Sequence, residues 1–370
     1  MSARAFSLAL VCALLAYPLA HAAPAAAKSR AADKAAAASD SKSEQRGRRD
    51  ALAAVHTWAI QLRFIDREKL RQAPLDLIVI DHAPHPKRDI EIPFLPADIA
   101  ALKVKPDGKR RIVLAYLSVG EAERYRYYWQ PQWETAAGRP MWLGAENQQW
   151  PGDYQVAFAN PEWQSIIFGT DQSYLDRIIA AGFDGVYLDR VDAFQDVEDE
   201  TPGARDAMVG FVSRLADHAH RTNPRFLVVM QNAEELLNLA ALRQKLDGVA
   251  KEDFMFGHDN TDAANPAGMV RETLENLRKG GRLSPLKAAI GGLLNVKPIL
   301  MVKNGGEASA IATALVEQTA QPSATDLAAA HASGELRWEG ASVPFRSAST
   351  LFGGSPSQDT APGRGTVLIL

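Results

Sequence analysis

Asp189 and Glu252 each stand at the polar end of a short apolar run, Asp189 after Gly185-Val186-Tyr187-Leu188 and Glu252 after Gly248-Val249-Ala250-Lys251. Two carboxyl groups facing one cleft can break a glycosidic bond: one protonates the leaving oxygen, and the other attacks the anomeric carbon or activates water. A single acid at a strand end more commonly caps the next helix or pairs with a neighbour such as Lys251 or Arg190. Here the polar groups recur after many runs, with Gln61, Asp81, Ser118 and Glu121, Asp189 and Asp192, Gln231 and Asn232, and Lys251 and Glu252 all in that relation. Their uncharged members can bond sugar hydroxyls. Trp58, Tyr116, Tyr125, Tyr127, Tyr128, Trp129, Tyr187 and Phe254 offer faces for sugar rings, although Trp58 at a strand start and Trp163 on a helix face suit packing better.

Other chemistries find less support. Asp81-His82-Ala83-Pro84-His85 places two histidines and an acid in one loop, but the paired-histidine spacing of a metallohydrolase helix is missing, and no metal or cofactor is expected. The Gly-x-Ser-x-Gly elbow of a serine hydrolase does not occur; Ser118 lies in Leu117-Ser118-Val119-Gly120-Glu121. The one cysteine, Cys12, falls in an apolar leader, so thiol chemistry and disulfides are excluded from the rest of the chain.

These groups need a scaffold that gathers strand ends. Candidate strands are Trp58 to Leu62, Leu75 to Ile80, Ile112 to Leu117, Gly185 to Leu188, Phe226 to Met230, Gly248 to Ala250 and Pro298 to Val302, with Leu336 to Glu339 or Val343 to Arg346 as the eighth. The segments between them carry helical periodicity. Asn160-Pro161-Glu162 opens a helix whose apolar face runs from Trp163 to Ile179 and ends at Gly182; Ala207, Met208, Phe211, Val212 and Leu215 mark another, ending before Pro224. Alternation of this kind fits an open doubly wound sheet or a closed barrel. Gln61-Leu62-Arg63-Phe64 lacks the glycines of a dinucleotide fingerprint, and chemistry spread over many strand tips is the barrel's pattern, so a single-domain (β/α)8 TIM-like barrel is expected.

Arg4, the apolar run Phe6 to Leu19 and Ala20-His21-Ala22 read as a signal peptide over 1–22, too short for the roughly 20 apolar residues of a permanent anchor. Residues 23–50 are Ala/Lys/Ser-rich and read as a flexible linker, 51–350 as the barrel, and 351–370 as a tail of uncertain structure. A periplasmic or secreted location is expected, with no membrane attachment once the signal is removed. Residues 1–22 carry one basic group and 23–50 seven basic against four acidic, so the chain's −3 leaves −7 on 51–370. An acidic body argues against nucleic acid and tolerates a neutral or cationic substrate.

Six ordered motifs carry a resemblance. Trp58-Ala59-Ile60-Gln61-Leu62, Ala115-Tyr116-Leu117-Ser118-Val119-Gly120-Glu121, Ala159-Asn160-Pro161-Glu162-Trp163, Gly182 to Asp192, Gln231-Asn232-Ala233 and Asp247 to Asp253 are similar to those of the endo-α-1,4-polygalactosaminidase family, glycoside hydrolase family 114. The resemblance covers Trp58 to Phe256 and departs after it. It implies a TIM-like barrel that cleaves α-1,4-linked galactosamine or N-acetylgalactosamine polysaccharide, with Asp189 and Glu252 as the acidic pair. Under retaining chemistry Glu252 would be the nucleophile and Asp189 the acid/base. The implied polymer is cationic when deacetylated, and acids at one rim (Asp81, Glu121, Asp189, Asp192, Glu252, Asp253) would attract it. Two other readings fit less well: a polysaccharide-binding barrel without turnover, and a metal-dependent hydrolase built on Asp81, His82 and His85.

Overall fold

Alternate residues of the apolar strands sort into two buried sets. Trp58, Ile60, Leu77, Val79, Leu114, Tyr187, Leu227, Val229 and Ala250 form one cluster, while Ala59, Ile78, Ile80, Val113, Ala115, Leu117, Val186, Leu188, Val228, Met230 and Val249 belong to another that includes the helices' apolar faces. A strand with both faces buried is the parallel strand of an α/β fold, one face turned to the interior and the other to a helical layer. The computed structural model describes residues 41–84, 92–254, 265–280, 296–298, 300–301, 335–338, 341–344 and 366–369. Residues 1–40 lie outside that set, and with them the expected signal peptide and most of the linker. By contacts the chain divides into Met1–Ser43 and Glu44–Leu370, and the second unit contains the sheet and its helices.

The helices of this unit are α1 (its share, 44–53, of a helix over 41–53), α2 (Arg67–Gln72), α3 (Pro96–Leu102), α4 (Pro161–Ile167), α5 (Tyr174–Ala180), α6 (Ala204–Thr222), α7 (Ala240–Arg243) and α8 (Ala267–Lys279). The strands are β1 (Trp58–Gln61), β2 (Leu77–Ile80), β3 (Ile112–Ser118), β4 (Glu121–Glu123), β5 (Leu143–Glu146), β6 (Asp153–Val156), β7 (Gly185–Asp189), β8 (Leu227–Gln231), β9 (Gly248–Glu252), β10 (Val296–Pro298), β11 (Leu300–Met301), β12 (Glu335–Trp338), β13 (Ala341–Pro344) and β14 (Thr366–Ile369). The main sheet runs β10-β14-β9-β8-β7-β3-β2-β1-β11, parallel from β9 to β11. Its two outermost members, β10 and β11, come from one stretch of chain, 296–301, which pairs with β14 at one end and β1 at the other. The architecture is the curled α/β sheet of a TIM-like barrel.

Several expectations shift. The helix read from Trp163 to Ile179 is two helices, because Phe168 is extended and Gly169 takes φ 115° before Ser173 opens α5. Neither candidate eighth strand joins the barrel: β12 and β13 pair with each other. Instead β14, within the expected tail, pairs antiparallel with β9, setting Thr366 opposite Glu252. The linker boundary also moves, since α1 is helical before residue 51 and its Leu52, with Val55 just after it, joins the interior cluster beside Trp58 and Leu77. Among the described residues, no helix is long and apolar enough to cross a membrane.

An aspartate precedes three strands and binds a neighbour's backbone at the barrel's base. Asp76 accepts from His56 N and Thr57 N, Asp184 from Val113 N, and Asp247 from Val228 N. Each carries a cation: Lys105 on Asp76 at 2.8 Å, Arg110 and Lys103 on Asp184 at 2.6 and 2.7 Å, and Arg48 on Asp247 at 2.9 Å. The Arg48 pair is buried, and Arg48 also donates to Pro224 O at 2.6 Å, so α1 is fastened to β8 and β9. Stripping one partner from a buried pair leaves a charge without compensation. Arg48→Met is expected to cost about 3 kcal/mol or more in urea unfolding; a loss under about 0.5 kcal/mol, the range of ordinary surface substitutions, would show that α1 is not fastened this way.

Candidate active site

Asp81, Ser118, Asp189, Gln231 and Glu252 share strand parity with Val79, Tyr116, Tyr187, Val229 and Ala250, so all five side chains belong to the interior face where the strands end. Register places them together. Ser118 pairs with Asp189, Leu188 with Met230, and Gln231 with Ala250, which sets Ser118, Asp189 and Gln231 in one row with Glu252 two residues beyond Ala250. β7 and β9 flank β8, so the backbones carrying the two acids are roughly 10 Å apart, and inward side chains on a curved wall converge.

Asp189 is half-buried. Tyr116 Oη donates to its Oδ2 at 2.6 Å and the Arg190 backbone N–H to its Oδ1 at 2.8 Å. Burial pushes its carboxyl up to about 6, with the nearby charge of Asp192 in the same direction; the Tyr116 and Arg190 contacts work against the rise without cancelling it. Burial and Asp189 together hold the Tyr116 phenol protonated, so it remains a donor. Glu252 Oε2 accepts from Gln231 Nε2 at 2.7 Å, and the Glu252 backbone N–H donates to Asn232 Oδ1 at 3.0 Å. Beneath them Tyr187 is fully buried against Trp58, and its hydroxyl has no hydrogen-bond partner among the described residues; the same is true of Ser118 Oγ.

Three strand ends are each followed by a left-handed residue: Arg190 (φ 58°) after β7, Asn232 (φ 57°) and Ala233 (φ 50°) after β8, and Asp253 (φ 48°) after β9. For residues with a side chain this conformation is strained and concentrates where function demands a particular turn. Arg190 is the hub of the β7 turn, with Glu121 at 3.1 Å, Asp192 at 3.2 Å and Asp196 around its guanidinium. Asn232 Nδ2 also donates to Asp192 Oδ2 at 3.2 Å, which links the turns after β7 and β8. The approach of Arg190 to β3 requires Gly120, where a Cβ would fall 2.3 Å from the Arg190 carbonyl oxygen and 2.5 Å from Ala193 Cβ. The motif Asp189-Arg190-Val191-Asp192 contains Arg190, yet its residue types alone suggest only a possible neighbour for an acid.

Not every expected site residue joins this group. Gln61 has the parity of Ala59, away from the interior, and its amide donates to Phe64 O at 3.0 Å. Lys251 likewise turns outward, to Glu234 at 3.1 Å. Asp81 has interior parity but is occupied: Arg126 binds both its oxygens at 2.8 Å, and although burial opposes ionisation the guanidinium brings the carboxyl down to about 2. Arg126 is buried too and reaches Glu123 at 2.6 Å. His82 Nδ1 meets the Tyr174 hydroxyl at 3.1 Å, so Asp81 and His82 are committed to protein partners, while His85 lies outside the described residues. Glu121 and Asp192 serve Arg190 and are positioning groups. The loop aromatics are mostly packing: Tyr127, Tyr128, Trp129, Trp133 and Trp142 contact one another, Trp163 of α4 or Tyr174 of α5, edge to face or tilted. Phe254 is buried in the outer cluster.

A model of glycoside-hydrolase family GH114 matches residues 33–267, more than half of the chain, and a model of an uncharacterised protein family, DegV, matches the overlapping residues 228–335. The chain belongs to the first of these families. An uncharacterized protein of Deinococcus radiodurans is 39% identical over 209 residues, 56% of this chain and 63% of that protein. One of Methanocaldococcus jannaschii is 37% identical over 214 residues, 54% of this chain and 56% of that protein, so the chain spans less than two thirds of either relative's length. Among solved structures, the glycoside hydrolase domain of PelA from Pseudomonas aeruginosa is similar at 21% identity and a TM-score of 0.44, covering 64% of this chain and 87% of that one.

The raised carboxyl of Asp189 makes a prediction about stability alone. Its ionised form is penalised in the fold, so the penalty is absent below the ordinary value of 3.8, grows as pH rises from there, and is complete above about 6. Asp189→Asn should therefore raise the melting temperature above pH 6, with the gain vanishing below pH 4. A gain that is the same at both pH values would contradict the placement of this charge.

Proposed function

We propose that this member of glycoside-hydrolase family GH114 cleaves α-linked galactosamine or N-acetylgalactosamine polysaccharide within the chain, using Asp189 as proton donor and Glu252 as the second carboxylate. The observation that carries the reading is the unequal setting of the two acids. Asp189, pushed up to about 6, keeps a proton to give at mildly acidic pH, and proton transfer to a glycosidic oxygen needs such a group. Glu252 accepts the Gln231 amide and sits on the neighbouring wall of the same mouth. A carboxylate so oriented can take the nucleophile's part, closing on the anomeric carbon as the leaving oxygen receives the Asp189 proton. In the second half-reaction ionised Asp189 would take a proton from water as that water displaces Glu252.

The buried hydroxyls of Ser118 and Tyr187 lie on the same interior face as the two acids and have the chemistry to bond substrate hydroxyls or the carboxylates as charge moves between them. Periplasmic or secreted placement is part of this proposal, since polysaccharide of this kind is met outside the cytoplasm.

Asp189→Asn and Glu252→Gln should each reduce release of reducing ends from α-1,4-galactosaminan, acetylated and deacetylated, by at least about 1,000-fold with circular dichroism unchanged. A polysaccharide-binding barrel would instead retain the polymer on an affinity gel while wild type releases no ends, and would defeat the proposal. Activity should also depend on Asp189 keeping its proton: kcat/KM falls as pH rises through about 6. Tyr116→Phe removes a bond that favours the ionised form, so that limb should move to higher pH by roughly one pH unit. A limb that stays in place, or moves to lower pH, would refute the assignment of the acid.

A further inference from the structure

Gln61, expected to touch substrate, instead braces a loop, and what that loop displays is an exposed aromatic ring. Phe64 follows β1, takes a left-handed backbone (φ 51°) and leaves 69% of its surface in solvent. A bulky residue in that conformation is an outlier, and an exposed ring gains nothing from the core in return. The loop is nonetheless pinned: the Gln61 amide donates to Phe64 O, and Ile65 N donates to Pro84 O at 3.3 Å in the loop after β2. Strand direction gives its end of the barrel. β1, β2, β3 and β7 are parallel, so Phe64, just beyond the carboxyl end of β1, lies at the same end of the sheet as Asp189 at the carboxyl end of β7. β1 lies three strands from β7 in the sheet order, so Phe64 stands on the wall facing the acids.

A second exposed ring occurs on the acids' own side. Trp150, 44% exposed, sits in the tight turn joining β5 and β6, built by Gln149 N on Asn147 Oδ1 at 3.0 Å and Asp153 N on Trp150 O at 3.0 Å. Asn147 in the same turn donates to Glu121 at 2.9 Å, and Glu121 binds Arg190, whose N–H holds Asp189. Two polar contacts thus connect the Trp150 turn to the residue beside Asp189. Both rings are presented from braced loops, one on a turn tied through Glu121 and Arg190 to the end of β7 and one just beyond the end of β1.

We infer that Phe64 and Trp150 are stacking platforms for sugar rings distant from the cleaved bond, marking where a polysaccharide enters and leaves the barrel mouth. The apolar face of a pyranose covers an exposed ring, and an ammonium group on an amino sugar adds attraction to the ring's face. The inference rests on the proposed hydrolase reading and extends it, since an enzyme acting inside a chain must hold units on both sides of the scissile bond.

The test compares wild type, Phe64→Gly, Trp150→Ala and, as a control, Met141→Ala, an exposed apolar residue shortly before β5, on long α-1,4-galactosaminan. Phe64→Gly and Trp150→Ala should each raise KM roughly tenfold with kcat unchanged, and Met141→Ala should match wild type. Glycine tolerates the left-handed turn, so Phe64→Gly should also raise the melting temperature while it weakens the polymer's hold, a combination that a structural role for the ring cannot give. Wild-type KM in both variants beside an active wild-type enzyme would overturn the platforms and leave the hydrolase reading standing. Absence of cleavage by wild type itself would fell that reading, and this inference with it.

Discussion

A carboxyl group at the edge of an apolar barrel interior loses hydration that its charged form needs, and the proposed chemistry depends on how far that loss is offset at Asp189. Below it lie Tyr187, Leu114 and Val229, which give no compensation for charge. Beside it Asp192 disfavours a second negative charge, while Tyr116 and the Arg190 N–H favour it. The balance leaves the group about two pH units above an ordinary aspartate, far enough to carry a proton in mild acid and near enough to lose it during turnover. Full burial without the two donors would keep the proton too tightly; full exposure would surrender it to solvent.

Holding that balance requires a turn that the backbone resists. Three adjacent strands end on an interior polar side chain and then turn through a left-handed residue, at a cost of roughly 1–2 kcal/mol each. The stability comes from the opposite end of the barrel, where the aspartates before β2, β7 and β9 bind neighbouring backbone and basic side chains, Asp184 two of them. Strain and cohesion are thus separated along the strand axis, in keeping with a barrel whose base is built for stability and whose mouth is built for chemistry.

Strand parity explains most of what can be read from the sequence and some of what cannot. Asp189, Gln231 and Glu252 are legible because each closes a buried strand whose period of two already divides inside from outside. The same rule, applied strictly, turns Gln61 and Lys251 outward; both qualify as strand-end residues only while the face they occupy is disregarded. Asp81 passes the parity test and is nonetheless occupied, because Arg126, 45 residues away in sequence, binds both its oxygens from a loop that no local pattern foretells. The break between α4 and α5 is written in Gly169, but the apolar periodicity continues across it and conceals the turn. The run Thr366-Val367-Leu368-Ile369 after Gly365 is a strand signal in itself, but its pairing with β9 joins segments more than a hundred residues apart, so nothing local to the tail says where it docks.

The pairing of charges at the mouth also limits how a cationic polymer could be recognised. Six acids would draw it by their summed field if they stood unanswered, yet Asp81 is met by Arg126, and Glu121 and Asp192 by Arg190. One Arg126 charge answers both Asp81 and Glu123, and one Arg190 charge answers Glu121, Asp192 and Asp196, so long-range attraction at the mouth is weaker than the acids' number suggests without being cancelled. What those pairs supply is a fixed geometry for the turns after β3, β7 and β8. Under the proposed reading, selectivity for an amino sugar would then arise at close range, from hydrogen bonds and ring faces that act within contact distance of Asp189 and Glu252, and the −7 of residues 51–370 would contribute to encounter more than to choice of substrate.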